Sequence, residues 1–257
     1  MISIKKSNKI FIDSLKENNI IFVIFLIVLF VVNFLQSVIS VKYVLLEGDF
    51  SSSLADYYII PLSSKWFCLV VSPLIMIWVM NNCNKAFRIN VITRCKNLKS
   101  VWRGQVCLSV LFSLFSTIFF QTVSFIIGCN STSVLINFND KKSYFAFATQ
   151  GRLTSDVSLL SVIIISTVFI FLFILFIELL FLTLYWFIKK FSLCLVMVLA
   201  VGILDLNGFG MFSFAGIEHT KWLPYQPVKL FLPILCILIL YCLGLHFCNF
   251  REFLDEK

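Results

Sequence analysis

NNCNKAFRINVITRCKNLKSVWRGQ, residues 81–105, is polar enough to belong to water yet patterned like a helix, and how it is read decides the fold. Phe87, Val91, Cys95, Leu98 and Trp102 recur at spacings of four, four, three and four, which lines them along one face of an α-helix. Lys85, Arg88, Arg94, Lys96, Lys99 and Arg103 occupy the other faces, with no acid among them. The pattern predicts a cytoplasmic amphipathic helix over 82–104, set between two membrane spans and carrying an apolar ridge that something must cover. Two coverings suit it: the headgroups of an anionic inner leaflet, or the groove of a partner protein.

Composition supports the membrane setting. Sixty per cent of the 257 residues are hydrophobic and 13% are charged, and the mean hydropathy is +0.98, far outside the range of soluble domains. The chain therefore reads as an all-α integral membrane protein. Nine cysteines occur without any C-x-x-C pair, and most sit inside apolar runs, where a thiol behaves as a small hydrophobe. Asn130-Ser131-Thr132 matches a glycosylation sequon, a short pattern that arises often by chance.

Outward from the basic stretch the apolar runs fall into six predicted spans. Residues 1–18 read as an amphipathic interfacial helix, with Ile4, Phe11, Ile12 and Leu15 on one face and lysines around it. The run 19–41 carries no charge and suffices to cross a hydrocarbon core of about 30 Å. A loop over 42–65 follows, then a span at 66–81 kinked by Pro73 and, beyond the basic helix, a span at 106–128. The run 158–188 is longer than a perpendicular crossing needs. A short span at 191–212 breaks at Gly208 and Gly210 and leads into a mixed aromatic and proline-bearing segment, expected to be re-entrant on the outer side. The last span is 230–248.

Lysine and arginine sort by side in this arrangement. Fourteen fall on the side of the basic helix and seven on the other, which places both termini in the cytoplasm of a multi-pass protein of the cell membrane. The net charge of +8 is then a topological signal facing membrane lipid, and no nucleic-acid partner is implied.

Motifs for chemistry are missing. There is no Walker glycine loop, no H-E-x-x-H and no G-x-S-x-G, and the only histidines, His219 and His246, fall on opposite sides of the predicted topology. Neither a catalytic site, nor a metal site, nor a cofactor of the chain's own is expected. Glu178 is the one ionisable residue deep in a span, and a charge there is costly, so it should face the interior, either protonated or paired. Its helical neighbours offer no partner, which leaves Asn33 and Gln36 on span one and Gln121 on span three as candidates, with two roles open: a structural hydrogen bond or part of a substrate path.

Taken together, the six spans, the interfacial N-terminal helix, the basic helix between spans two and three and the broken outer segment before span six resemble the ABC-2 type permease family in layout over the whole chain. In residues the resemblance is most telling at 87–102, FRINVITRCKNLKSVW, where an arginine, further basic residues and a tryptophan precede a long apolar span. Small permeases of low-GC Gram-positive bacteria, including those that export bacteriocins or confer immunity to them, look most similar in their Ile, Phe, Lys and Asn bias. The resemblance implies a permease subunit that pairs with a second copy or a sister permease. It further implies two cytoplasmic ATPase subunits, which bind the ATP and magnesium, docked on a coupling helix through Phe87, Arg88, Val91, Arg94, Leu98 and Trp102. A membrane-embedded immunity or scaffold protein, binding a peptide or a partner without transport, is the other reading.

Overall fold

Long apolar runs do form helices, and the polar chain over 131–158 folds against one end of them. The computed structural model describes residues 19–47, 50–63, 65–86, 98–188, 190–204, 207, 218–222 and 231–248. Its helices are α1 (Asn19–Glu47), α2 (Leu54–Ser63), α3 (Lys65–Ala86), α4 (Leu98–Ser131), α5 (Tyr144–Ala148), α6 (Leu159–Ile188), α7 (Phe191–Leu204) and α8 (Phe231–Phe247), with a 3-10 turn at His219–Trp222. Among the described residues there is no strand beyond a single bridge between Ser51 and Ser143. Three helices, α1, α4 and α6, are long and apolar enough to cross a membrane, and shorter apolar stretches occur at Val70–Asn81 and in α7 and α8. Among the described residues the structure is all-helical, and the three long apolar helices fit a membrane protein.

The centre of the bundle is α6, which packs against α8, α4, α3, α7 and α2. Its sequence is apolar on every face, as a helix enclosed by other helices can be, and residues 172–179 are buried without interruption. At 30 residues it is about 45 Å long at about 1.5 Å per residue. α7 starts beside its far end but has 14 residues, about 21 Å, and is too short to span about 30 Å by itself.

Two expectations change. The predicted loop over 42–65 contains α2, and its residues Leu54–Leu62 are all buried, wedged among α1, α4 and α6. A ten-residue helix is too short to register as a span, and the turn-forming residues before it hide it. Ser53-Leu54-Ala55-Asp56 nevertheless carries one half of a capping box: the Asp56 carboxylate reaches back to accept from the Ser53 backbone N–H, and from its hydroxyl, both at 2.8 Å, at the start of the helix. Second, the helix expected over 82–104 is not a separate element in its described part. α3 continues to Ala86, and residues from Leu98 on are the first turns of α4, which runs unbroken to Ser131. The helix expected over 191–212 is described as α7 to Leu204 and again at Asn207, whose Nδ2 donates to the Ile203 carbonyl at 2.8 Å, and the rest of its expected length lies outside the described residues. The interfacial helix at 1–18, residues 87–97 of the basic stretch and most of the expected re-entrant segment lie outside the described residues.

At one end of the bundle α2, α5, the 3-10 turn and the chain over 131–158 build a cap. Ser51 ties two strands of chain together, its N–H donating to the Lys142 carbonyl at 2.7 Å and its carbonyl accepting from Tyr144 N at 2.8 Å. Thr132 Oγ1 donates to the Ser52 carbonyl, and Asn137 Nδ2 to the Ser51 carbonyl and hydroxyl. Phe138 and Phe145 stack beneath, centroids 4.2 Å apart. α4 accepts α2 at Gly128, where any side chain would strike Leu54.

Candidate functional site

Two buried polar clusters stand out. In the cap, His219 Nε2 lies 2.9 Å from Asp56 Oδ1, a geometry in which the ring N–H donates to the carboxylate. Asp56 is wholly buried and His219 nearly so. The rings of Tyr144, Phe145 and Phe138 surround the imidazole at 5.2, 5.9 and 6.3 Å. The pair joins the segment between α7 and α8 to the first turn of α2. Burial pushes the Tyr144 phenol up to about 12, helped by the negative charge of Asp56 and opposed by a hydrogen bond with Ser40. Burial likewise raises the Tyr58 phenol. Ser53, Asp56 and His219 do not form an activated nucleophile, because hydroxyl and imidazole both hydrogen-bond the carboxylate and not each other.

The second cluster lies along the contact of α4 with α6. Gln105, Ser109, Ser113 and then Ser116 and Thr117 follow one another at three or four residues, Ser124 comes two turns on, and all are buried, so they share the face of α4 turned into the bundle. Opposite them on α6 is Glu178, with no exposed surface. Ser113 Oγ donates to Glu178 Oε1 at 3.4 Å, whereas Glu178 Oε2 meets no hydrogen-bond partner in the protein. Further along, Gln121 Nε2 donates to Ser166 Oγ at 3.0 Å, and Gln121 Oε1 and Ser116 Oγ are buried without partners. Beside Glu178 is a cavity of about 10 Å³ lined by Trp78, Cys83, Gln105, Ser109 and Glu178 with apolar neighbours, about what one water fills by this measure.

Glu178 thus faces the interior as expected, but its expected partners do not reach it. Asn33 donates instead to Ser124 Oγ at 2.8 Å and to the Phe120 carbonyl, and accepts from Ser37. Gln121 is engaged with Ser166, and Gln36 is half-buried on α1 and does not line the cavity. The serines Ser109 and Ser113 take that place. Their regular spacing with Gln105 was the available signal, and a small hydroxyl is easily passed over in an apolar run.

Of the expected docking ridge, Phe87, Arg88, Val91 and Arg94 lie outside the described residues. Leu98 is half-buried against the core. Trp102 is entirely buried: its ring meets Trp186 edge-on at 5.9 Å and lies over Gly244 of α8, where the indole occupies the space a Cβ would need. Trp186 Nε1 in turn donates to Gln105 Oε1 at 2.8 Å. Trp102 is therefore an internal packing residue, directed into the bundle because α8 offers a glycine there, and it leaves the ridge.

Among the described residues no group of three or more His, Cys, Asp or Glu is placed to hold a metal ion. Compared with protein-family models, with curated proteins and with solved structures, the chain matches none.

Proposed function

We propose that the chain is the membrane-spanning permease subunit of an ATP-driven ABC exporter in the cell membrane, crossing six times with both termini in the cytoplasm. It would move an amphipathic substrate, a peptide or a lipid-like molecule, with ATPase subunits and a second permease copy or sister permease as partners. The observation that carries this reading is the basic stretch between α3 and α4, whose Phe87, Val91 and Leu98 keep helical spacing among six cations. Two features support it. The described flanks of the stretch, Ala86 at the end of α3 and Leu98 at the start of α4, lie at the end of the bundle opposite the cap, where α6 finishes and α7 starts. The chain after the short α7 is back at the cap by His219, as a segment folding over the outer face would be.

Copurification tests the reading. A P-loop ATPase should be retained in detergent in stoichiometric amount, and Phe87→Ala and Leu98→Ala should each release it while the permease stays inserted and folded. A buried apolar contact at an interface carries about 2 kcal/mol or more, and a rim lysine much less, so Lys96→Ala should release little. Equal loss of membrane association in all three variants, with no ATPase bound to the wild type, would overturn the proposal in favour of a peptide-binding immunity or scaffold protein.

A further inference from the structure

The seam between α4 and α6 leaves a carboxyl oxygen, Glu178 Oε2, without a hydrogen-bond partner in the protein, and the same residue lines a water-sized cavity. We propose that Glu178 is a reversible proton-binding site, served by one buried water and in exchange with solvent at the end of the bundle where α3 ends and α4 begins. The inference does not depend on the exporter reading.

The geometry assigns the atoms. Ser113 Oγ donates to Oε1, so Oε1 is the carbonyl oxygen of a neutral carboxyl and Oε2 carries the proton. With serine hydroxyls as its only donors and no cation among its described neighbours, the carboxylate is costly in such an interior, so the neutral acid is the resting form and the ionised one is reached only at higher pH. A buried O–H needs an acceptor, and a water in the cavity supplies one while itself reaching polar groups among Ser109, Gln105 and Cys83, which line the same space. Exchange breaks the Oε2–H bond as the proton passes to this water, and the reverse transfer restores the acid. Gln105 and Cys83, which hydrogen-bond each other at 3.7 Å, stand within about two turns of the start of α4 and the described end of α3, so the polar lining of the cavity lies toward that end of the bundle. Of the titratable groups on the helices packed against α6, Cys83 alone lines the cavity among the described residues. Arg103 and Cys107 of α4, Cys194 of α7, Cys236 and Tyr241 of α8 and Asp56 of α2 lie outside its lining.

Infrared spectroscopy of the full chain in lipid bilayers tests this. The wild type should show the carbonyl stretch of a protonated carboxyl that shifts to lower frequency in D2O and loses intensity, reversibly, as the bulk pH is raised. Glu178→Gln should lose the band. Ser113→Ala, which keeps the acid but removes the donor to Oε1, should move it to higher frequency, and this assigns the band even if the glutamine variant fails to fold. A band absent from the wild type, unaltered by both substitutions, or assigned to Glu178 yet indifferent to D2O and pH would overturn the proposal, the last by making Glu178 a sealed structural acid.

Discussion

Asp56 and Glu178 are both cut off from solvent, yet the two carboxyl groups are held in opposite ways. Asp56 receives three hydrogen bonds, two from Ser53 and one from His219, each shorter than 3 Å, and its negative charge is felt by Tyr144 nearby. Glu178 has only the serine hydroxyls of α4 beside it, Ser113 at 3.4 Å and Ser109, and its Oε2 makes no close hydrogen bond. A buried polar group that is fully paired holds a structure together, and one that is half paired lowers stability unless it is hydrated or used. The comparison teaches that the cap is built to stay closed and that the seam is built to exchange.

The sharpest way to break this contrast is to remove the acids one at a time. Asp56→Ala leaves the Ser53 N–H and hydroxyl and the buried His219 without their acceptor, and removing one member of such a pair costs about 3–5 kcal/mol. Glu178→Gln keeps the shape and the bond from Ser113, so its cost should stay under about 1.5 kcal/mol, the range of volume-conserving swaps. Thermal unfolding in one detergent compares them directly. Equal losses would mean that Glu178 is as structural as Asp56.

Next in size is the packing that bounds the seam. Gly244→Ala sets a methyl where the Trp102 indole lies, and relieving the overlap must shift α8 or turn the ring. Overpacking of this kind costs about 1–3 kcal/mol. Because Trp102 touches Trp186, and Trp186 holds Gln105 at the cavity, tryptophan emission should change together with stability. An unchanged emission spectrum would separate α8 from the seam.

These residues also mark what the sequence made legible. Positions of the long apolar helices followed from runs without charge, because lipid and protein interior both demand apolar side chains. That same equivalence hides which helix is central. α1 and α6 are alike in composition, yet 28% of the α1 window is buried against 56% of the α6 window. The isolation of Glu178 in an apolar run was readable, since only one acid sits there. Its partners were not, because pairing depends on how α4 and α6 face each other and a serine gives little signal. Trp102 fitted the periodicity of a surface ridge equally well as that of an internal seam, and only Gly244, distant in sequence, decides between them. The Ser53-x-x-Asp56 signature was present but lay in a stretch dominated by turn formers.

A smaller effect separates local capping from the long-range pair within the cap. Ser53→Ala removes one of the two bonds that Ser53 gives Asp56 and keeps the bond from His219, so it should cost about 1–2 kcal/mol. Protease cleavage in the cap should rise less than in Asp56→Ala. Equal cleavage in the two variants would shift the role of the latch from the histidine pair to the capping box.

The smallest effect at neutral pH, and the one that best tests whether the cap is sealed, belongs to Tyr144. Its phenol ionises at about 12 in the folded protein against an ordinary value of 10.0, with burial the chief cause and the Asp56 charge the second. Below pH 10 the group is protonated in folded and unfolded chains alike and contributes no slope. Between 10 and 12 the unfolded chain releases the proton while the folded chain keeps it, so the unfolded state binds fewer protons and stability falls as the pH rises. Tyr144→Phe removes this fall, and at neutral pH it loses only the hydrogen bond with Ser40, about 1 kcal/mol or less. Melting temperatures of wild type and variant should therefore differ little at pH 7 and converge or cross as the pH is taken above 10. Tyr58 and other phenols affect both proteins equally, so the difference isolates Tyr144. A constant difference across that range, with tyrosinate absorbance appearing near pH 10, would show that water reaches the phenol beside Asp56, and the cap would then resemble the seam.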